Sequence, residues 1–265
     1  QNIIFNGPEE KLKETQYTQP AIYIVSVILG HILLEEGQQP DMVAGHSLGE
    51  YSACTIAGSL TFETGLSLVK LRAESMQDAG TTNPGTMAAI IGMADEDVIS
   101  MCNTISSDES VVVAANFNYP GQVVISGNIN AVHEAMEKAH ELGAKMTKEL
   151  NVGGAFHSKL MSPAQEGLAK VISELSFQTP HTPIVANCTG KPLTTIDEIK
   201  DELVSQLCSC VRWKETVEYM TGFGINQYYE VGPGKVLAGL VKRINENADA
   251  VNVSDLESIN SLKLS

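Results

Sequence analysis

The chain has 265 residues, 43% of them hydrophobic and 18% charged, which is enough apolar material for a globular core and excludes a disordered chain. Its formal net charge of −15 argues against nucleic-acid binding, which requires a basic surface. The five cysteines include no CxxC pair, which argues against a metal site. The longest apolar run, Ile22 to Leu34, is interrupted and too short to span a bilayer, which argues against a membrane protein. We therefore expect a cytoplasmic protein with reduced thiols.

The start of the chain predicts an α/β unit. Thr18-Gln19-Pro20 opens a helix that runs to about Glu36, with the proline near the first helical position. Residues 42–45 predict a short buried strand, and a helix follows Ser47 at once. Residues 61–77 predict a further helix.

Residues 83–152 follow a different pattern and predict an inserted small subdomain. A strand, a helix, two strands joined by a turn, a second helix and a last strand are expected at residues 85–93, 95–105, 110–127, 130–143 and 144–152. The order β-α-β-β-α-β is the split ferredoxin-like pattern. Residues 1–82 and 153–265 would then form the large subdomain.

Beyond the insert the α/β pattern resumes. The expected elements are a helix at 161–175, a strand at 183–187, helices near 196–207 and 213–223, a strand at 227–233 and a helix at 235–244.

The segment Gly45-His46-Ser47-Leu48-Gly49 fits the G-x-S-x-G pattern. A strand before it and a helix after it are the context in which this pattern holds a nucleophilic serine in a strained turn. The small glycines let the strand and helix approach each other, and the N–H of Leu48 would face a developing oxyanion. We predict that Ser47 is a nucleophile rather than an ordinary turn serine.

A serine nucleophile needs a base, and six histidines are available. His157 is favoured because it lies in a glycine-rich stretch between a strand and a helix. His133 and His140 fall on the solvated side of an amphipathic helix, and His31 lies in a long apolar helix. His46 adjoins Ser47, but its side chain should point away from that of the serine.

Arg72 lies among apolar residues on its predicted helix face. A guanidinium held there is suited to binding an anion. An arginine that extends its charged end to solvent would show the same pattern, so the sequence leaves both interpretations open.

The sequence contains, in order, the motifs GHSLGEYSA, GTMAAIIG, NYPGQVVISG, AFHSKLM, VRW and YYEVGPGKVLAGL. In these motifs it resembles malonyl-CoA:acyl carrier protein transacylases, the acyltransferases of fatty-acid and polyketide synthesis. The resemblance extends from Thr18 to Ile244. It implies an α/β fold, with an α/β-hydrolase-like large subdomain and an inserted ferredoxin-like small subdomain.

The resemblance implies a role for each matching residue. Ser47 corresponds to the serine that carries the malonyl group as an ester, and His157 to its base. Arg72 corresponds to the arginine that pairs with the free malonyl carboxylate. Leu48 corresponds to an oxyanion donor through its amide, and Gln206 to the residue whose backbone carbonyl orients the histidine.

The implied reaction is ping-pong transfer of malonyl from malonyl-CoA to the phosphopantetheine thiol of acyl carrier protein, with no cofactor bound by the enzyme itself. Phe156, the residue before the base, matches the residue pattern of family members that are selective for malonyl groups. A serine hydrolase such as a thioesterase would use the same serine turn. An inactive module that binds carrier protein is the other alternative.

The family normally opens with a Phe-Pro-Gly-Gln-Gly strand and loop whose glutamine region supplies a second oxyanion donor. This sequence begins downstream of that motif, so we expect a central strand to be missing and the chain to be truncated or incompletely represented. Basic residues near the cleft would dock the acidic carrier protein, the candidates being Lys159, Lys191, Arg212 and Lys214. No role is predicted for Cys208 and Cys210.

Overall fold

A computed structural model describes residues 2–262 of the chain. The α-helices, in chain order, are α1 Asn2–Asn6, α2 Glu9–Leu12, α3 Thr15–Glu35, α4 Gly49–Ile56, α5 Phe62–Thr82, α6 Asp95–Ile105, α7 Ile129–Glu141, α8 Ser162–Glu174, α9 Ile196–Ser205, α10 Trp213–Gly222, α11 Val236–Ile244 and α12 Leu256–Leu262. A short 3-10 helix, Lys159–Met161, precedes α8.

The strands are β1 Val43–Ala44, β2 Thr86–Ile91, β3 Val112–Tyr119, β4 Gln122–Gly127, β5 Met146–Glu149, β6 Ile184–Val185, β7 Pro192–Leu193, β8 Gln227–Val231 and β9 Asp249–Val253. They form three sheets with the orders β1-β6-β7, β3-β4-β2-β5 and β8-β9. The predicted α/β class is therefore confirmed, although the patterns for β7 and β9 were missed.

The insert forms the four-stranded sheet, and every pairing within it is antiparallel. The spatial order β3-β4-β2-β5 and the intervening helices α6 and α7 give the ferredoxin-like arrangement that the sequence predicted. β5 is shorter than the predicted 144–152, because β2 supplies pairing partners only from Ala88 to Ile91. The two helices cover one face of the sheet, with Ile90, Ile125 and Val132 in the shared apolar core.

The large subdomain has its core between helices rather than within one continuous sheet. Its main apolar cluster brings together buried residues of α3, α4, α5, α8, α9 and β6, with Tyr51, Leu68 and Leu168 among them. β1 pairs with β6 in parallel, and β8 pairs with β9 in parallel. A cavity of about 430 Å³, lined by both β1 and β8, lies between these two sheets. The expected missing central strand stays a prediction.

Helix α3 differs from its prediction at the start. It begins at Thr15, so Pro20 lies inside the helix and not near its first position. Proline removes one backbone donor there, and the helix continues because it packs against α4 and α5. By length and composition alone α3 would be able to cross a membrane, a test that buried helices of soluble proteins also pass.

The insert is attached to the segment before α10 by backbone hydrogen bonds. Phe117 N–H donates to the carbonyl of Val211, and Val211 N–H donates to the carbonyl of Ala115, both at 2.8 Å. An ion pair between Lys214 on α10 and Asp95 at the start of α6 adds a second link. These contacts hold the small sheet next to the loop that follows α9, which carries part of the candidate site.

Candidate active site

The turn between β1 and α4 holds Ser47 in a strained conformation. Ser47 has a φ of 52°, in the left-handed region that residues other than glycine rarely adopt. A Cβ added to Gly45 would lie 1.9 Å from the backbone carbon of Gly49, so this first glycine is required for the close approach of strand and helix. A Cβ at Gly49 itself would meet nothing within 4 Å. The predicted reason for a small residue therefore applies at Gly45 only.

The side chain of Ser47 lies against His157, as the sequence predicted it would. The Oγ of Ser47 is 2.8 Å from Nε2 of His157. Nδ1 of the same ring donates to the backbone carbonyl of Gln206 at 2.8 Å. A carbonyl can only accept, so Nδ1 carries the ring hydrogen and Nε2 is left to accept the serine proton.

His157 is buried and itself has a φ of 59°. Burial, with a smaller contribution from the charge of Arg72, lowers the pKa of His157 to about 3, while the hydrogen bond to Gln206 opposes the shift. The imidazole is therefore neutral near pH 7, which is the state a general base needs before it accepts a proton.

Arg72 on α5 is only 1% exposed, which rules out an arginine extended into solvent. Its Nη1 donates to Oε1 of Gln19 at 2.6 Å, and its Nη2 donates to Oγ of Ser47 and to Oε1 of Gln206, both at 2.9 Å. Its guanidinium also lies 5.6 Å from the ring centroid of Tyr51. Burial lowers the pKa of Arg72. Within residues 2–262 no hydrogen-bond acceptor is found for its Nε.

The backbone amide of Leu48 lies just before the hydrogen-bonded turns of α4. The next amides, those of Gly49, Glu50 and Tyr51, donate to His46, Ser47 and Leu48 respectively. In the described part of the chain no acceptor is found for the N–H of Leu48. This amide lies at the N-terminal end of α4, where an anion is electrostatically favoured.

Phe156 is half-buried and lies between two apolar clusters. One is the main cluster of the large subdomain, and the other is the face of the small sheet that carries Met87 and Val124. Its position beside His157 therefore places an aromatic ring at the boundary between the two subdomains.

His46 points away from the serine, as expected. Its Nε2 donates to Oδ1 of Asn118 at 3.0 Å, and its ring lies 5.6 Å from that of Trp213. Asn118 belongs to β3, so the residue next to the candidate nucleophile is attached to the small subdomain.

Two polar residues that contact the serine turn or its support were not predicted from the sequence. Asn187 accepts a hydrogen bond from the N–H of Ser47 at 2.7 Å, and Glu50 is fully buried on α4. Burial and neighbouring Glu202 raise the pKa of Glu50 well above its usual range, while hydrogen bonds from Asn187 and Gln206 oppose this. A glutamate one residue after the last glycine of the motif was the only sequence signal for this group.

The remaining predicted residues lie at the surface or in ion pairs. Lys159 and Lys191 are exposed. Arg212 is paired with Glu215 at 2.7 Å, and Lys214 with Asp95. Among residues 2–262, no group of three or more histidine, cysteine, aspartate or glutamate side chains is arranged to hold a metal ion.

A half-buried serine hydrogen-bonded to a buried histidine, with an adjacent buried guanidinium, on this two-subdomain fold, is an arrangement for acyl transfer. The chain matches the acyl transferase domain family over residues 1–263 and belongs to that family.

Its relatives have a more specific name. The malonyl CoA-acyl carrier protein transacylase of Bacillus subtilis is 40% identical over 258 residues, which are 97% of this chain and 81% of the relative. That of Haemophilus influenzae is 43% identical over 263 residues, 98% of this chain and 84% of the relative.

Solved structures agree with the sequence comparisons. The acyl carrier protein S-malonyltransferase of Vibrio cholerae superposes with a TM-score of 0.94 at 42% identity, covering 98% of this chain and 85% of that one. A structure of a type II PKS acyl-carrier protein in complex with its malonyl-transacylase contains a chain that matches with a TM-score of 0.95 at 40% identity. The match covers 100% of this chain and 86% of that one. The predicted membership of this acyltransferase family is confirmed.

Proposed function

We propose that this protein transfers the malonyl group from malonyl-CoA to the phosphopantetheine thiol of acyl carrier protein through a malonyl ester on Ser47. The observation that carries the proposal is the buried guanidinium of Arg72, which donates to Oγ of Ser47 at 2.9 Å. A cation beside the nucleophile suits an acyl group that ends in a second carboxylate. The names of the relatives support the same substrate.

In the first half-reaction Ser47 Oγ attacks the thioester carbonyl of malonyl-CoA, and its proton passes to Nε2 of His157. The carbonyl oxygen becomes an oxyanion, which the free N–H of Leu48 stabilises. The carbon–sulfur bond then breaks, and coenzyme A leaves as the thiol after taking the proton from His157.

In the second half-reaction the phosphopantetheine thiol gives its proton to His157 and attacks the ester carbonyl. The bond to Ser47 breaks, and the serine regains the proton from His157. Throughout, the carbonyl of Gln206 keeps the hydrogen of the imidazole on Nδ1, so that a backbone carbonyl takes the place of the acidic residue of a triad.

Selectivity would come from Arg72 and Phe156. The malonyl carboxylate pairs with the guanidinium, and an acetyl group leaves that buried charge without a partner. The aromatic ring of Phe156 would bound the acyl pocket and restrict larger acyl groups.

The acidic carrier protein would dock on Lys159 and Lys191. Of the four predicted basic residues, these two are exposed, and no ion pair is found for them within residues 2–262. Arg212 and Lys214 are occupied by internal carboxylates, and we assign them to stability instead.

We further propose that the enzyme acts in the cytoplasm and needs no cofactor of its own. Its five cysteines are all free thiols, as expected in a reducing compartment. Each chemical step above uses groups of this chain or the pantetheine thiol of the substrates.

Radiolabelled malonyl-CoA with and without carrier protein tests the proposal against its alternatives. We expect label on the protein alone and its transfer to carrier protein when the latter is added. Free malonate would indicate a thioesterase, and binding of carrier protein without labelling would indicate an inactive module. Ser47→Ala is the control, because mass spectrometry should find no malonyl adduct on a folded variant that lacks only the hydroxyl.

A further inference from the structure

A buried carboxylate lies beneath the serine turn and takes no part in the proposed chemistry. Glu50 is 0% exposed. Its Oε1 accepts from the backbone N–H of Asn187 at 2.8 Å and from Nδ2 of Asn187 at 3.0 Å, and its Oε2 accepts from Nε2 of Gln206. In each of these hydrogen bonds a carboxylate oxygen of Glu50 is the acceptor.

The two amide side chains that Glu50 contacts are those that hold Ser47. Oδ1 of Asn187 accepts from the N–H of Ser47 at 2.7 Å, and Nδ2 of Asn187 donates to the carbonyl of Gly45 at 2.7 Å. Nε2 of Gln206 donates to the carbonyl of Ser47 at 2.9 Å. Both backbone polar groups of the serine are therefore held by amides that a single carboxylate contacts.

An amide side chain can be turned so that its oxygen and nitrogen exchange places. In the structure both oxygens of Glu50 accept hydrogen bonds and neither donates, so the carboxyl group takes an NH₂ group from each neighbouring amide. With that choice made, Asn187 presents its oxygen to the N–H of Ser47. Gln206 in turn presents its oxygen to Arg72.

This choice matters because a non-glycine residue in the left-handed region is strained and persists only where its surroundings hold it. Ser47, with a φ of 52°, is such a residue. If either amide turned over, a donor would face a donor or an acceptor would face an acceptor next to the nucleophile.

We propose that Glu50 is a positioning residue that orients the amides of Asn187 and Gln206, and through them holds Ser47 in its attacking conformation and Arg72 beside it. The inference rests on the proposed function only in taking Ser47 as the nucleophile. It does not depend on which acyl group Ser47 carries.

Glu50→Gln is the direct test because it preserves size and removes the acceptor-only character. Its amide can offer oxygen to one neighbour, but it must then offer NH₂ to the other, which is already a donor. We expect the folded variant to hold Ser47 in a misaligned or heterogeneous conformation.

The probe is a fluorophosphonate, which reacts with an activated serine without any acyl substrate. The Ser47 Oγ–phosphorus bond forms, fluoride leaves, and the serine proton passes to His157. We expect Glu50→Gln to lower the limiting rate of phosphonylation about 10- to 100-fold, the effect of a misplaced reacting group, and to leave the half-saturating probe concentration unchanged. Intact-protein mass spectrometry gives both quantities.

Glu202→Gln is the matched control. Glu202 is also buried and accepts from a backbone N–H, that of Cys188, but it has no hydrogen bond to either amide. It should lose stability without changing the limiting rate. Glu50→Asp is a second variant, because it keeps the charge and withdraws both oxygens by one methylene. It should fall between wild type and Glu50→Gln.

A wild-type limiting rate in folded Glu50→Gln would overturn the proposal, and so would an equal loss in Glu202→Gln. If Glu50→Gln does not fold, Glu50→Asp decides by the same measurement, and a wild-type rate there overturns the proposal. A protein that fails to transfer malonyl but shows these phosphonylation rates would refute the proposed substrate and support the role of Glu50.

Discussion

The small subdomain and the region around Ser47 are built on opposite plans. The small subdomain buries an apolar cluster and leaves charged pairs, such as Lys138 with Glu141, at the surface. Around Ser47 the buried groups include a guanidinium, a carboxylate, an imidazole and two amides. Burial of apolar groups stabilises a fold without requiring particular contact angles. Buried polar groups, in contrast, need hydrogen-bond partners at the correct distance and angle. The small subdomain therefore contributes stability, and the polar groups around Ser47 hold the nucleophile in a strained conformation.

The largest expected effect is on the stability of the small subdomain. Ile125 is fully buried in its core, so Ile125→Ala should lower the free energy of unfolding by about 2–5 kcal/mol. Ile129→Ala is the matched control, because Ile129 lies in the same subdomain and is 41% exposed. Denaturant titration measures both.

In the folded Ile125→Ala variant, the fluorophosphonate should still react with Ser47 at the wild-type limiting rate. A large loss of serine reactivity in that variant would show that the two regions are not separate in function.

The second effect is a dependence of stability on pH that originates at His157. Its pKa is lowered from 6.5 to about 3 in the folded protein, so between these values the unfolded chain binds a proton that the folded chain does not. Stability conferred by the neutral imidazole is therefore complete above pH 6.5 and lost as the pH falls toward 3. Relative to His157→Gln, the wild type should lose about 3 kcal/mol between pH 6.5 and pH 4.

Denaturant titrations of both proteins from pH 7 to pH 4 give the comparison. Parallel curves would contradict a buried, neutral histidine.

The third effect is on selectivity. Arg72→Ala should reduce malonyl loading relative to acetyl loading by roughly 10- to 150-fold, since a hydrogen bond to a charged partner contributes about 1.5–3 kcal/mol. Mass spectrometry after exposure to malonyl-CoA or acetyl-CoA measures the two adducts. Lys70→Ala, at an exposed position on the same helix, should leave the ratio unchanged. Equal losses for both acyl groups would make Arg72 a structural residue.

The smallest effect is at the surface. Lys159→Glu and Lys191→Glu should each raise the KM for carrier protein about 1.5- to 5-fold, because exposed ion pairs contribute little, and should leave self-acylation by malonyl-CoA unchanged. Lys138→Glu on α7 is the control, because that lysine is already paired with Glu141. If neither reversal changes the KM, the carrier protein docks elsewhere.

The sequence alone predicted what depends on local pattern. The strand–turn–helix around Ser47 follows from glycine spacing, and the insert follows from the alternation of strand and helix periods over residues 83–152. The class of fold and the family are confirmed, while the domain boundaries and the roles of the site residues remain predictions that the experiments above address. Local pattern succeeds in these cases because neighbours in the sequence are also neighbours in space.

Only the tertiary structure decided what depends on residues far apart in the chain. The pattern around Arg72 allowed either an exposed or a buried guanidinium, and packing between α3, α5 and the loop after α9 buried it against Gln19 and Gln206. Glu50 and Asn187, 137 residues apart, gave no sign of each other in sequence. Their partnership exists because parallel pairing of β1 with β6 brings the ends of both strands to the same sheet edge. A hydrogen bond needs two groups within about 3 Å, and that distance is set by the fold rather than by either sequence segment.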